Sequence, residues 1–323
     1  MRSTDEFLLF YEQTLRPQLE ELDSMRKKYI YSSLRFILST LGLVVLCIVL
    51  LSKPWIPSFV KWVVGICSLA LLIYLLYKYY KTNKNNNFLA LFKGQVIKPI
   101  VKFISTDLDY YPKRKISESL YHKSRLFLKD TDRFGGDDLI EGKIDKTYFH
   151  FSELHTQYKT TGSKGETHWH DIFKGIFFIA DFNKDFEGST VLLPNQIGGG
   201  FSFFKKIFGL NRKEKLVELA DPEFTDNFTC YSTDDIKARY ILTPALMQRL
   251  NHFQRKYPNN RVSLSFVDGQ IFVAISYKHD LFEASYFKSI IDYDRIQSYF
   301  DDIRLVVEVV DDLNLNNRIW TKE

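Results

Sequence analysis

Cysteine is scarce in this 323-residue sequence, which contains three. Cys47 and Cys67 lie inside long apolar stretches and Cys230 lies alone further along, so the chain offers no disulfide framework. Signatures of catalysis are also missing. No HExxH zinc sequence occurs, and the triple glycine at 198–200 lacks the Lys and the Ser or Thr of a phosphate-binding loop. These absences argue against a disulfide-stapled secreted protein and against a nucleotide-binding enzyme.

Two long apolar runs lie close together near the start of the chain, at residues 34–51 and 59–77. At about 1.5 Å per helical residue, each is long enough to cross a hydrocarbon core of roughly 30 Å. The segment between them, 52–58, is short and contains two prolines, so it cannot continue a helix. The pattern therefore predicts an antiparallel transmembrane hairpin. The alternative is a pair of buried core helices in a soluble protein.

Cationic residues flank the hairpin unevenly. Those on the side of the chain termini are Arg26, Lys27, Lys28, Arg35, Lys78, Lys81 and Lys84. The other side carries Lys53 and Lys61. The positive-inside rule therefore predicts an integral membrane protein with both termini in the cytoplasm. Acidic residues precede the first run and no small-residue cleavage site follows it, so we do not expect it to be a cleaved signal peptide.

Hydrophobic periodicity divides the chain into four parts. The predicted parts are an amphipathic helix at 1–33, the hairpin at 34–80 with spans 34–51 and 59–77, a helical membrane-proximal connector at 81–136, and a cytoplasmic α+β domain at 137–323. Pro17 is expected to kink the first helix or to mark its start.

The last part alternates with a period of two, which is typical of strands. Strands are predicted at 139–144, 147–161, 172–182, 190–193, 215–219, 227–232, 236–241, 261–266 and 270–276. Asp268-Gly269 indicates a hairpin between the last two. Helices are predicted after Thr243-Pro244 and at 294–313. The expected fold class is α+β, with mainly antiparallel sheet and flanking helices behind the hairpin.

Several short motifs in this region resemble one known family. They are Gly136-Asp137-Asp138, Gly142, Phe151-Ser152-Glu153-Leu154, Ile172-Phe173-Lys174-Gly175, Asp181-Phe182-Asn183-Lys184, Leu193-Pro194, Phe224, Phe228, Ala238-Arg239-Tyr240, Leu242-Thr243-Pro244 and Phe282-Glu283. Together with the hairpin and Tyr110-Tyr111-Pro112, they make the chain similar to the bacterial family called "domain of unknown function 3137". The resemblance implies a bacterial inner-membrane protein with a cytoplasmic domain. It implies no activity and no catalytic residues.

Histidines cluster in the first predicted strands. The candidate metal ligands are His150, Glu153, His155, His168 and His170. Two histidines spaced two apart on a strand point to the same face, and a hairpin can bring a third ligand opposite them. The spacing matches no established ligand signature, so the alternative is a set of solvent-facing strand histidines.

Other residues are weaker candidates for a catalytic site. Glu153 with Asp137 or Asp138 has the composition of an acid–base pair, although acidic residues beside glycines are commonly turn and cap residues. Cys230 lies among strand aromatics without a nearby histidine, which favours a buried thiol over a nucleophile.

Residues 201–215 have a basic face opposite an aromatic face on a helical wheel. The predicted membrane-contact residues are Phe203, Phe204, Lys205, Lys206, Phe208, Arg212 and Lys213. This pattern is typical of a helix lying in the membrane interface, where anionic lipid attracts the cations. The alternative is a loop helix whose phenylalanines complete the core.

Two functions fit these features. The first is a membrane-anchored, non-enzymatic protein that presents its α+β domain to a cytoplasmic protein partner or to the anionic lipid surface. The second is a membrane-bound hydrolase that uses the histidine cluster with a divalent metal, and no other cofactor is expected. The net charge of +5 does not indicate nucleic-acid binding, because the cations concentrate near the membrane spans while the last predicted helix is acidic.

Overall fold

The computed structural model describes residues 2–52, 57–83, 87–163, 165–182, 184, 186–195, 213–256, 261–277, 281–313 and 315. The chain forms two compact units. The helical unit comprises Ser3–Val96 and Glu283–Ile296. The sheet unit comprises Met1–Arg2, Ile97–Phe282 and Gln297–Glu323.

Helices make up the first part of the chain. They are α1 (Thr4–Phe10), a π-helical turn (Tyr11–Leu15), α2 (Arg16–Leu51), α3 (Ser58–Asn83), α4 (Phe88–Phe92), a second π-helical turn (Lys93–Ile97) and α5 (Lys98–Ile104). Ser3 begins the series with a capping box, in which its hydroxyl accepts from the Glu6 amide and the Glu6 carboxylate accepts from the Ser3 amide. The helix predicted for the N-terminal region therefore forms and runs unbroken into the first apolar run.

Both π-helical turns end two residues before a proline. The first turn precedes Pro17 and the second precedes Pro99. Proline has no amide hydrogen, and its ring clashes with the carbonyl four residues earlier in a regular α-helix. A wider π turn moves that carbonyl outward, so each helix continues through its proline instead of breaking.

The segment 283–296 packs against the first π-helical turn, α2 and α4 of the helical unit. Arg26 Nη1 donates to the carbonyl of Tyr286 at 2.7 Å, and the hydroxyl of Tyr11 donates to the carbonyl of Ile291 at 2.8 Å. The Tyr286 ring lies 5.0 Å from that of Phe88. These contacts bury the apolar face of the amphipathic helix, as its periodicity predicted.

The strands form one antiparallel sheet among the described residues. They are β1 (Leu108–Tyr111), β2 (Arg133–Ile144), β3 (Thr147–Thr161), β4 (Thr167–Asp181), β5 (Ser189–Pro194), β6 (Lys215–Val217), β7 (Phe228–Ser232), β8 (Val262–Val267) and β9 (Gln270–Ser276). Their order across the sheet is β1-β2-β3-β4-β9-β8-β5-β7-β6. The α+β class is confirmed, because helices flank a large sheet whose pairings are all antiparallel.

The remaining helices are α6 (Glu118–Lys123), α7 (Pro222–Asn227), α8 (Asp235–Ile241), α9 (Pro244–Lys256) and α10 (Tyr293–Asp312). The strand predicted at 236–241 is wrong, because these residues form α8. Asp234 caps that helix by accepting from the amides of Ile236 at 2.9 Å and Lys237 at 3.1 Å. Because the segment is short, its apolar residues fit both the two-residue period of a strand and the 3.6-residue period of a helix. The Asp234 cap favours the helix.

Aromatic packing holds the connector between β1 and β2 against one face of the sheet. Tyr121 is fully buried, stacks on Phe127 at 5.2 Å and lies 5.5 Å from Phe177. Its hydroxyl bonds to that of Thr156 on β3 at 3.0 Å. This cluster orients β2 and β3, which carry the candidate site.

Candidate functional site

The first pair of site residues lies in a β-bulge of β2. Asp137 pairs with Glu153 on β3, but the next pair in register is Ile140 with Phe151, so two residues of β2 face one residue of β3. Asp138 takes a left-handed φ of 56°, which an aspartate tolerates better than most residues. Before it, Gly136 has no room for a side chain, since a Cβ would lie 2.3 Å from the Glu153 carbonyl oxygen.

The bulge brings three carboxylates together. One oxygen from each of Asp137, Asp138 and Glu153 lies within 4.8 Å of the others. In a regular strand, neighbouring residues such as Asp137 and Asp138 point to opposite faces, so the bulge is what gathers them. Glu153 is 8% exposed and Asp138 is fully buried. The groups that hold the cluster include Tyr110, whose hydroxyl donates to Asp138, and Leu281, whose amide donates to Glu153 at 2.8 Å.

Carboxylate oxygens are the ligands that Mg²⁺ and Ca²⁺ prefer in proteins. Close carboxylates repel one another, and a cation bound between them would offset that repulsion. The arrangement can therefore hold a hard divalent cation. The Gly-Asp-Asp sequence is a local signal from which this cluster could be predicted. The contacts of Tyr110 and Leu281 could not be predicted in this way, because these residues lie in distant parts of the chain.

His155 lies on the same face of β3 as Glu153 but is engaged elsewhere. Its Nε2 lies 2.6 Å from Oδ1 of Asp171, to which Gln157 also donates at 2.8 Å. Burial alone would raise the pKa of Asp171, but the hydrogen bonds from His155 and Gln157 lower it below its usual range. This contact ties β3 to β4 at a partly exposed position.

The other three histidines are spread along the hairpin of β3 and β4. His170 stacks on Tyr158 at 5.0 Å and bonds to Thr160 through Nε2 at 2.8 Å. His168 is exposed at the hairpin end, near Glu166. His150 is eight residues from Tyr158 along β3, roughly 26 Å at about 3.3 Å per residue, and burial lowers its pKa. In the part of the chain that the structure describes, no three of the five predicted ligands come together, and a histidine metal site stays a prediction.

The predicted membrane-contact segment falls largely outside the described residues. Phe203, Phe204, Lys205, Lys206, Phe208 and Arg212 are among the residues not described. Lys213 is exposed just before β6. The interfacial helix at 201–215 therefore stays a prediction.

The two apolar runs are exposed along the hairpin of α2 and α3. Among their side chains, Ile48 is 62% exposed, Ile66 65% and Trp62 76%. No part of the most apolar 18-residue window of either helix is buried, and both helices are long and apolar enough to cross a membrane. The rings of Phe36 on α2 and Tyr79 on α3 lie 4.6 Å apart, and α3 begins seven residues after α2 ends, so the two helices run antiparallel.

Residues 171–315 match the family model described as "Protein of unknown function (DUF3137)". Over these residues the chain matches the DUF3137 family. The match includes β4 from Asp171 onward, the strands and helices that follow it, and the quoted motifs from Ile172 onward. The Gly136-Asp137-Asp138 bulge, Glu153 and the hairpin precede the DUF3137 match, so their likeness to the family rests on the sequence motifs alone.

One solved structure is similar to this chain, the crystal structure of the mycobacterial trehalose monomycolate transport factor A, TtfA. It is 13% identical, the match covers 71% of this chain and 98% of that chain, and the TM-score is 0.33. A likeness at this score supports no conclusion about fold or function. No curated protein matches the chain.

Proposed function

We propose that this protein is a membrane-anchored, non-enzymatic binding protein. In this proposal α2 and α3 cross a bacterial inner membrane, both termini lie in the cytoplasm, and the sheet unit presents a binding surface to a cytoplasmic protein.

The observation that carries the proposal is the exposed apolar surface of the hairpin. Soluble proteins rarely expose contiguous apolar patches larger than a few hundred Å². Here the side chains of Ile48, Trp62 and Ile66 are each more than half exposed, and residues 36–51 and 62–77 contain no charged residue. A bilayer would cover this surface. The alternative of two buried core helices would require these side chains to be buried, which they are not.

The orientation rests on the uneven cations. Arg35 on α2 and Lys78 on α3 lie at the end of the hairpin nearest the termini, and the cations of 26–28 precede them. The positive-inside rule places this end in the cytoplasm.

Exposed apolar side chains on β6, an edge strand among the described residues, and on α8, which contacts the neighbouring strand β7, support partner binding. Leu216 is 61% exposed on β6, which is the last strand in the sheet order, and Ile236 on α8 is 80% exposed. An edge strand offers unpaired backbone groups to a partner strand. A photo-crosslinking residue at Leu216 should capture a defined cytoplasmic protein, and one at Lys143, an exposed site on β2, should not.

Cysteine labelling tests the membrane topology. With Cys47, Cys67 and Cys230 replaced by Ser, single cysteines are introduced as Ser52→Cys in the short connection and as Lys215→Cys on β6. A membrane-impermeant maleimide added to intact spheroplasts should label the first and should reach the second only after lysis. Labelling of both before lysis, or of Lys215→Cys alone, would refute the orientation. Release of the chain by alkaline carbonate would refute membrane insertion.

The segment 201–215 would add a second contact with the bilayer. Anionic vesicles should protect this segment from proteolysis. Changing Lys205, Lys206, Arg212 and Lys213 to Gln should weaken that protection, while the hairpin keeps the chain in the membrane. Unchanged protection would indicate that the segment does not contact lipid.

The carboxylate cluster favours a second candidate, a metal-dependent hydrolase. Its supporting observation is the 4.8 Å grouping of Asp137, Asp138 and Glu153, which includes one of the ligands predicted from the sequence. Elemental analysis of the purified chain tests it. Stoichiometric Mg²⁺ or Ca²⁺ lost in Glu153→Gln would support a metal site at the carboxylates, and zinc lost in the His168→Ala/His170→Ala variant would support the histidines. No bound metal in the wild type would count against this candidate.

A further inference from the structure

A cleft opens between the two hairpin helices at the end nearest the termini. Ser32, Arg35, Phe36 and Ser39 of α2 and Leu75, Lys78 and Tyr79 of α3 line it. Its volume is about 350 Å³, which is within the range of small-molecule sites. The cleft lies wholly within the helical unit.

Packing between the helices shapes the cleft. The Phe36 and Tyr79 rings stack at 4.6 Å with an interplanar angle of 25°, and the hydroxyl of Tyr79 lies 3.4 Å from that of Ser33. These contacts hold α2 and α3 together at one level while Arg35 and Lys78 approach from opposite helices. The two cations therefore face a common space that is not filled by side chains.

The cleft is electropositive. Its lining includes Arg35 and Lys78 but no carboxylate. Among the described residues, neither cation forms an ion pair with a carboxylate, and Arg35 Nε reaches only the carbonyl of Tyr31, at 3.3 Å. By contrast, Arg26 and Lys27, earlier on the same helix, both pair with Asp23. Two cations from neighbouring helices, with the hydroxyls of Ser32 and Tyr79 nearby, match the chemistry of a phosphate group.

Depth in the bilayer favours a lipid as the source of that phosphate. Arg35 and Lys78 lie at the boundary of the apolar runs, where headgroups lie if the hairpin crosses the bilayer. Just beyond this boundary, Leu38 on α2 and Ile73 on α3 are each 58% exposed. A lipid phosphate in the cleft would therefore have apolar helix surface beside its acyl chains.

We propose that this cleft binds the phosphate headgroup of an anionic phospholipid in the cytoplasmic leaflet. Arg35 and Lys78 supply the charge, and the exposed leucine and isoleucine side chains contact the acyl chains. Basic pockets between transmembrane helices bind anionic lipid headgroups for this reason. The inference rests on the proposed function, because it requires the hairpin to cross the membrane.

Lipid titration followed by native mass spectrometry tests the site. The full chain, purified in a neutral detergent, is titrated with phosphatidylglycerol and separately with phosphatidylcholine. The wild type should retain one phosphatidylglycerol with an apparent affinity on the order of tenfold or more above that for phosphatidylcholine. Arg35→Gln/Lys78→Gln should lose this preference. The matched control is Lys28→Gln/Lys61→Gln, which removes the same charge outside the cleft and should keep the preference.

Two outcomes would overturn the proposal. Equal preference for phosphatidylglycerol in the cleft variant and the wild type would show that these cations do not form the site. Displacement of the bound lipid by millimolar inorganic phosphate would assign the cleft to a soluble phosphate instead. Carbonate extraction of each protein separates this failure from that of the proposed function: a chain that stays in the membrane without the lipid preference refutes the cleft alone, whereas an extracted chain refutes the anchor.

Discussion

Replacing Gly175 by alanine should disrupt the junction between the two halves of the sheet. Gly175 lies on β4 opposite Ser276 of β9, which is where the long hairpin of β3 and β4 joins the strands that follow. A Cβ built on this residue would lie 2.1 Å from the carbonyl oxygen of Ile275 and 2.9 Å from the amide nitrogen of Tyr277. Both atoms belong to the backbone, so no side-chain rotation can relieve the contact.

The expected cost follows from two contributions. Forcing an extra methyl group into a well-packed interior typically costs about 1–3 kcal/mol. The φ of 150° at Gly175 is a backbone conformation that other residues rarely adopt, and such strain costs on the order of 1–3 kcal/mol. A total of about 3 kcal/mol would lower the melting temperature of a unit of this size by roughly 6–12 °C.

Thermal unfolding of the full chain in detergent, followed by far-UV circular dichroism, measures this change. Hydrogen exchange should show the loss of protection first in β9. The matched control is Gly94→Ala, because a Cβ there meets no atom within 4 Å and alanine should be neutral or stabilising by up to about 1 kcal/mol. A Gly175→Ala variant that melts with the wild type would refute the close approach of β4 and β9.

Further predictions concern a turn, a carboxyl group and a thiol. Gly269→Val should destabilise the sheet unit by at least 1 kcal/mol in chemical denaturation, because residue 269 has a φ of 73°, whereas Gly269→Asn should cost much less. Burial, with the charge of Asp301, raises the pKa of Asp302 to about 7, so the folded state keeps a proton that the unfolded state loses near pH 4. Stability should therefore fall as the pH rises from about 4 to 7, and Asp302→Asn should melt higher than the wild type at pH 8; an equal or lower melting temperature would contradict the assignment. Burial raises the pKa of Cys230 to about 12, so at pH 8 it should react with a maleimide only after unfolding, and rapid labelling of the native chain would show that the thiol is accessible.

Local patterns in the sequence predicted much of the fold. Strand β3 has the bounds that the two-residue period indicated, and the hairpin at Asp268-Gly269 has the two positive φ angles of a type I′ turn. The helix predicted at 294–313 forms at Tyr293–Asp312. These features depend on neighbours a few residues apart, which is why periodicity and turn chemistry suffice to find them. The error at 236–241 arose where the segment was too short for its period to be informative.

Tertiary structure alone decided which side chains meet. The sequence predicted Glu153 as a metal ligand among histidines and, separately, as an acid–base partner of Asp137 or Asp138, and only the bulge at Asp138 shows that the two aspartates are the ones that meet it. Likewise, the cations of Arg35 and Lys78 are separated by 43 positions in the sequence, and only the antiparallel register of the hairpin makes them face one cleft. Strand register, bulges and helix contacts are set by packing between distant segments, and composition and local spacing carry little information about that packing.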